Sequence, residues 1–201
     1  MEDIFPYREN VNYSSLRVTE EGEYSVTRKH DSDRIINILE HVTGKLKLRT
    51  ITDATGCVGG DTIRFAMHFS HVHSIEIKED NFRALQNNVN VFGLNNVTLY
   101  HGDAIQIFNW NTDILYIDPP WGGPEYKTQK EMDLFMSSKR LDDWLEEILM
   151  RKNRPNYIFI KLPQNYKFTR FNFLSNIDYI KPYRIRGYIL VCINVHMPSL
   201  K

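Results

Sequence analysis

Residues 46–69 read LKLRTITDATGCVGGDTIRFAMHF. The stretch from Leu46 to Thr52 has the pattern of a strand and delivers Asp53 at its end. Asp53-Ala54-Thr55-Gly56-Cys57-Val58-Gly59-Gly60-Asp61 follows as a glycine-bearing turn, and Ile63, Phe65, Ala66 and Phe69 carry the chain on as a helix. Glycines let backbone approach a ligand closely, and a helix N-terminus favours a carboxylate or phosphate. Taken alone, such a loop fits many nucleotide sites.

Working outward, the same alternation repeats. Ile35, Ile38, Leu39 and Val42 fall on one helical face, with Asp31 or Ser32 as the expected cap and Gly44 as the stop. Val72 to Ile77 reads as a second strand. Phe82, Leu85, Val89 and Phe92 mark another helix, ended at Gly93, and Val97 to Tyr100 a short strand before Gly102-Asp103. Ile114 to Ile117, helical Leu141 to Met150, and Tyr157 to Lys161 follow. Ile177 to Arg186 and Tyr188 to Val195 form the expected antiparallel hairpin around Gly187. The pattern predicts an α/β, Rossmann-like fold: a mostly parallel sheet with a C-terminal antiparallel hairpin and helices on both faces. Residues 1–30, without clear periodicity, are expected to form an arm or small lobe that helps build the substrate pocket, and residues 31–201 the main domain.

In such sheets ligands sit outside the carboxyl ends of the strands. Asp53, Glu76, Asp103 and Asp118 all fall at or just beyond such ends. Glu76 is placed to chelate both hydroxyls of a ribose, and Asp103 to accept from an adenine amino group. This ordered set fits a nucleoside with an amino acid tail, as in S-adenosylmethionine, better than a dinucleotide. The fourth acid opens Asp118-Pro119-Pro120-Trp121-Gly122-Gly123-Pro124. Two prolines stiffen the backbone and offer no competing N–H. The Asp118 carboxylate and the Pro119 carbonyl can then accept from one exocyclic NH₂ group, while Trp121 offers a flat face to the base that carries it.

Composition bounds the rest. The 201 residues carry 25 basic and 25 acidic side chains, so no global basic field advertises nucleic acid. The distribution is uneven: residues 151–201 hold 10 Lys and Arg against one acid, Asp178, a balance of +9. That implies either a basic C-terminal surface that meets phosphates or a solvated face paired with acids elsewhere. Cys57 and Cys192 make neither a disulfide framework nor a metal site, which fits a reducing intracellular compartment. His30, His71 and His73 have no metal-ligand spacing. No signal peptide and no stretch of transmembrane length is visible, so a soluble protein is expected.

Four segments carry a family resemblance: Glu21-Gly22-Glu23-Tyr24-Ser25-Val26-Thr27, the loop from Asp53 to Asp61, Asp118 to Tyr126, and Leu162-Pro163-Gln164-Asn165. Together they resemble the class I S-adenosylmethionine-dependent methyltransferases and, more narrowly, the trimethylguanosine synthases, which methylate the exocyclic 2-amino group of a 7-methylguanosine RNA cap. The likeness covers most of residues 20–195, and its Trp-Gly-Gly-Pro motif is the most specific part. It differs at Cys57, where the family has glycine, at Asp61 for Asn, at Glu23 for Trp and at Gln164 for Arg. The resemblance implies a methyltransferase domain over residues 31–201 and S-adenosylmethionine as cofactor. The donor-binding set it implies is Thr27, Asp53, Ala54, Gly59, Gly60, Thr62, Glu76, Ile77, Asp103, Ala104 and Asp118. Asp118, Pro119 and Trp121 are the catalytic candidates; Tyr24, Pro120, Trp121, Lys161 and Asn165 are the substrate-binding candidates, with Lys161, Lys167 and Arg170 as phosphate or RNA contacts.

The leading functional expectation is therefore methylation of the cap guanine 2-amino group. A second enzyme class is methylation of an adenine or guanine amine within RNA or DNA, since Asp-Pro-Pro-aromatic serves all of these. A third reading is a non-catalytic RNA-binding module with a methyltransferase fold. Activity on free 7-methylguanosine nucleotides separates the first two, and donor titration separates both from the third.

Overall fold

The computed structural model describes residues 3–197. The chain divides into two compact units, the first ending at Ala104 and the second beginning at Ile105.

In the first unit, α1 (Glu20–Ser25) and α2 (Lys29–Thr43) precede β1 (Thr50–Asp53), α3 (Gly60–His68), β2 (His71–Glu76), α4 (Glu79–Val91) and β3 (Val97–His101). The three strands are parallel with β2 in the middle; Asp53 lies opposite Ser74, and Glu76 opposite His101. Two boundaries differ from expectation. Helix α2 starts at Lys29, ahead of Asp31 and Ser32, and has no side-chain cap; Asp31 instead adds its charge to the first turn, where the helix dipole favours it. Leu46–Leu48 is a 3₁₀ turn rather than strand, and β1 begins only at Thr50. Leu46 is buried while Leu48 is exposed, so this segment does not have the two-sided burial of the strand that follows.

Residues 3–25 pack onto the unit. Phe5 and Leu16 join Val58, Ile63, Ala84, Leu85, Val89 and Phe92 in one buried cluster. The polar ties are as specific. The Asn88 side chain, fully buried, accepts from the Arg17 N–H (2.8 Å) and donates to the carbonyls of Arg17 (2.7 Å) and Val58 (2.8 Å). Thr19 caps α1 by accepting from the Gly22 N–H at 3.0 Å, and its hydroxyl donates to Asn81 at 2.6 Å. Lys78 pairs with Glu21 at 2.8 Å. These bonds join residues far apart in sequence, which is why no local periodicity announced them.

α5 (Ala104–Ile107) spans the unit boundary along the chain. The second unit contains β4 (Ile114–Ile117), the short pair β5 (Phe135–Met136) and β6 (Lys139–Arg140), α6 (Leu141–Leu149), β7 (Tyr157–Pro163), β8 (Ile177–Ile185) and β9 (Tyr188–Val195). β4 and β7 run parallel; β9 pairs antiparallel with both β7 and β8. Leu141, Trp144, Leu145, Ile148 and Leu149 repeat at helical spacing, and all five are buried. All four residues of β4 are buried too, the near-continuous apolar run of a strand covered on both faces. β8 is half-exposed and carries Lys181, Pro182 and Arg184, residue types that discourage further strand pairing. The chain thus adopts the expected Rossmann-like architecture: mostly parallel strands, one antiparallel C-terminal hairpin, and helices around them.

Candidate active site

The glycine loop of the first unit is built on a buried hydroxyl relay. Asp53, 1% exposed, accepts from the Thr55 N–H (3.1 Å) and from the Thr62 hydroxyl (2.6 Å). The Thr62 hydroxyl also lies 2.7 Å from that of Ser74. Because Thr62 has one proton and gives it to Asp53, Ser74 must donate to Thr62. Asp53 thereby ties the start of the loop to the helix that ends it. Ala54 beside it is buried.

The loop's backbone follows from crowding. A Cβ at Gly56 would collide with the Ser74 hydroxyl, and one at Gly60 with Val26. Gly59 sits at φ +96°, a left-handed conformation that suits glycine, and its N–H closes a turn onto the Gly56 carbonyl at 2.8 Å. Cys57, where the resembling family has glycine, takes φ +47°, a left-handed conformation that glycine adopts at less cost. Its N–H donates to one Glu76 oxygen at 2.8 Å, and the Lys78 N–H donates to the other at 2.7 Å. Both carboxylate oxygens are thus fixed in direction, each with lone pairs to spare. Burial raises the Glu76 pKa above the ordinary carboxylate range despite these two bonds.

The entry segment closes onto the loop. Thr27, buried, donates to Asp61 at 2.6 Å, and Ser32 donates to the other Asp61 oxygen at 3.2 Å. Gly22 is required because a Cβ there would press on Val58 at 2.7 Å. Tyr24 and Ile77 are both exposed. Asp103 is half-buried and Ala104 buried, just past the Gly102 N–H that donates to the Glu76 carbonyl at 2.9 Å. The structure therefore gathers Thr27, Gly59, Gly60, Thr62 and Glu76 around one loop. Ser74 and Asn81 were not singled out from the sequence.

In the second unit β4 ends directly on Asp118. Pro119 is buried and Pro120 exposed. Gly122 and Gly123 are both left-handed, at φ +82° and +77°, so the chain can reverse there into the 3₁₀ turn Pro124–Thr128. Asn165 holds that turn, donating to the carbonyls of Tyr126 and Gln129, each at 2.8 Å. Tyr126 meets Trp121 edge-to-face at 5.1 Å between centroids, and Tyr188 lies at 6.2 Å on a tilt. The Trp121 indole N–H is buried and has no hydrogen-bond partner among the described residues. Asn165 thus acts on the Trp121 loop through backbone; Tyr188, the first residue of β9, had no sequence signal.

Lys161 is not on the basic surface where the phosphate reading put it. It is 6% exposed, and its ammonium pairs with Asp118 at 2.7 Å. Every residue of β7 from Ile158 to Pro163 is buried, Lys161 with them, and burial of an ammonium without a counter-charge would be costly. Arg170, also expected to meet phosphate, bridges Asp142 (2.9 Å) and Asp143 (3.1 Å), whereas Lys167 is exposed.

Residues 48–197 match the family model described as RNA cap guanine-N2 methyltransferase. The chain belongs to that family. It is 26% identical to the trimethylguanosine synthase of Schizosaccharomyces pombe, over 82% of this chain and 71% of that protein. It is likewise 26% identical to uncharacterized protein L320 of Acanthamoeba polyphaga mimivirus, over 92% of this chain and 79% of the relative. Among solved structures it resembles the Thermus thermophilus 16S rRNA N2 G1207 methyltransferase RsmC in complex with AdoMet and guanosine. That match has a TM-score of 0.65 at 14% identity, covering 92% of this chain and 45% of that one. An rRNA methylase from Streptococcus thermophilus matches with a TM-score of 0.56 at 14% identity, over 82% of this chain and 95% of that one. At these identities the structural matches establish the shared fold. Among the described residues no helix is long and apolar enough to cross a membrane.

Proposed function

We propose that the chain transfers a methyl group from S-adenosylmethionine to the exocyclic 2-amino group of a 7-methylguanosine RNA cap. The observation that carries this reading is Asp118-Pro119-Pro120-Trp121 at the carboxyl end of buried β4, with Trp121 braced by Tyr126. The donor set fits the loop described above: a left-handed glycine turn entering α3, and a Glu76 carboxylate oriented by two backbone N–H groups. In this reading Glu76 receives the ribose hydroxyls, Ile77 lies along the adenine, and Asp103 and Ala104 bound its edge. Thr27, Asp53, Ala54, Gly59, Gly60 and Thr62 shape the backbone around the amino acid tail. When bound, the donor supplies an electrophilic methyl group on a sulfonium.

Asp118 and the Pro119 carbonyl accept from the amine, drawing its nitrogen towards sp³ and aiming the lone pair. That is alignment plus electrostatic stabilisation. No strong base is needed, because the amine becomes acidic only as it is methylated. Its proton passes to Asp118 or water. In this reading Trp121 stacks on the base beside Pro120, and Tyr24 is a further substrate-binding candidate. Lys167, Lys181, Arg184 and Arg186 are exposed, and in this reading they are the C-terminal cations that meet RNA phosphates.

Glu76→Ala is expected to weaken donor binding by about 1–3 kcal/mol, measured by calorimetric titration. Because its pKa is raised, donor binding by the wild type should fall off at a higher pH than an ordinary glutamate would give. No heat of binding at millimolar donor would refute the donor assignment.

A second reading is favoured by one contact. The Lys161 ammonium lies 5.7 Å from the Trp121 ring centroid, so a cation already engages that ring, which favours a neutral guanine within RNA. Trp121→Ala decides between them. Stacking of a 7-methylated, cationic base should add roughly 0.5–2 kcal/mol over a neutral one. Kinetics on 7-methylguanosine diphosphate and on uncapped RNA should then show the larger loss on the former. An equal loss on both would replace the cap reading with the RNA guanine reading.

A further inference from the structure

Lys161 is buried, yet the reaction as drawn above does not use it. Its ammonium touches Asp118 at 2.7 Å and lies 5.7 Å from the Trp121 ring centroid and 5.0 Å from that of Tyr188. Three elements thus converge on it: the loop after β4, β7 itself and the start of β9. β7 and β9 place it firmly, with Lys161 opposite Leu190 and Pro163 opposite Tyr188 in the ladder. An aromatic wall on two rings lowers the cost of keeping a cation here, and the carboxylate supplies its counter-charge.

We propose that Lys161 is a positioning residue for Asp118: its ammonium grips one carboxylate oxygen and so sets the direction in which the other lone pairs face the amine. This rests on the reading of Asp118 as the amine acceptor. A carboxylate on a short side chain can rotate, and an acceptor that rotates loses the alignment on which methyl transfer depends. The pairing has a second consequence. A cation at hydrogen-bond distance favours the ionised carboxylate, so Asp118 keeps its acceptor form to lower pH than it would alone. Among the described contacts, the Tyr188 ring lies over the Lys161 ammonium, and the Tyr126 ring packs on Trp121.

The test compares the full chain with Lys161→Met, Lys161→Arg, Asp118→Asn and the double variant Asp118→Asn/Lys161→Met. Methyl transfer to 7-methylguanosine diphosphate and to guanine-containing RNA is followed from pH 5 to 9, and donor affinity by calorimetry. Lys161→Met is expected to lower kcat at least about tenfold with donor affinity unchanged, and to move the acid limb of kcat/KM up by about one pH unit. Lys161→Arg should keep the acid limb in place and recover part of kcat. In the Asp118→Asn background Lys161→Met should add little, because it acts through a group already removed. If Lys161→Met does not fold, Lys161→Gln takes its place with the same expected shift. An unmoved acid limb, or the same fold-loss in both Asp118 backgrounds, would overturn the proposal. Full turnover by Asp118→Asn would instead overturn the acceptor reading beneath it. The ion pair would still be visible then as a slowly exchanging lysine ammonium signal in NMR, lost on Asp118→Asn.

Discussion

Asp118→Ala is expected to lower turnover about 100-fold or more while leaving donor affinity nearly intact, because the lost acceptor acts chiefly in the transition state. The structure adds a cost to stability. Lys161 is buried, and removing the Asp118 carboxylate takes away the counter-charge that its ammonium meets at 2.7 Å. Breaking one side of a buried pair costs about 3–5 kcal/mol, so Asp118→Ala should unfold at clearly lower denaturant than the wild type. Asp118→Asn keeps an acceptor oxygen and a similar volume, and should lose less stability while still losing turnover. Single-turnover kinetics, donor calorimetry and denaturant unfolding on both variants check this together. Full turnover in Asp118→Ala would place the chemistry elsewhere. An unchanged unfolding midpoint would mean that Lys161 readily finds another partner or water.

Asn88→Ala is expected to be among the most destabilising single changes outside the apolar core. One buried amide satisfies the Arg17 N–H and the carbonyls of Arg17 and Val58. Each buried group left without a partner costs about 1–3 kcal/mol, and three are stranded at once. Water entry and relaxation will recover part, so a net loss of about 3 kcal/mol or more is expected, read from denaturant unfolding. The effect should reach donor binding too. Val58 belongs to the glycine loop, and Arg17 leads into Thr19 and Gly22, which lie against Asn81 and Val58. Asn88→Asp cannot donate to the two carbonyls and should fail almost as badly. A loss below about 1 kcal/mol would show that the segment is held by its other contacts, the burial of Phe5 and Leu16 and the Thr19–Asn81 bond among them.

Much of this was legible in the residues themselves. Alternating apolar runs, glycine stops and an acid at or just past each of the first four strand ends made the α/β class readable, because hydrophobic period and turn chemistry are local properties. Asp-Pro-Pro-Trp-Gly-Gly-Pro was readable for the same reason: its prolines and glycines restrict the backbone wherever they occur. Helix and strand starts were less so. Leu46–Leu48 carries a strand's alternation but packs only one of its leucines, a decision made by neighbours distant in sequence.

The roles of single polar residues were settled by tertiary structure. The loop runs from Asp53 to Asp61 with Thr62 just beyond it, yet only the fold brings Ser74 to Thr62 and Thr27 to Asp61. The arm showed no clear periodicity because its ties include side-chain bonds spanning tens of residues, which leave no period in the sequence. Lys161 makes the point most directly. As a letter in a basic stretch it reads as a phosphate contact; in space it is a buried partner of Asp118. Charge is a property of composition, but whether a charge meets solvent, a phosphate or a carboxylate is decided by which strand face it occupies and what lies across from it.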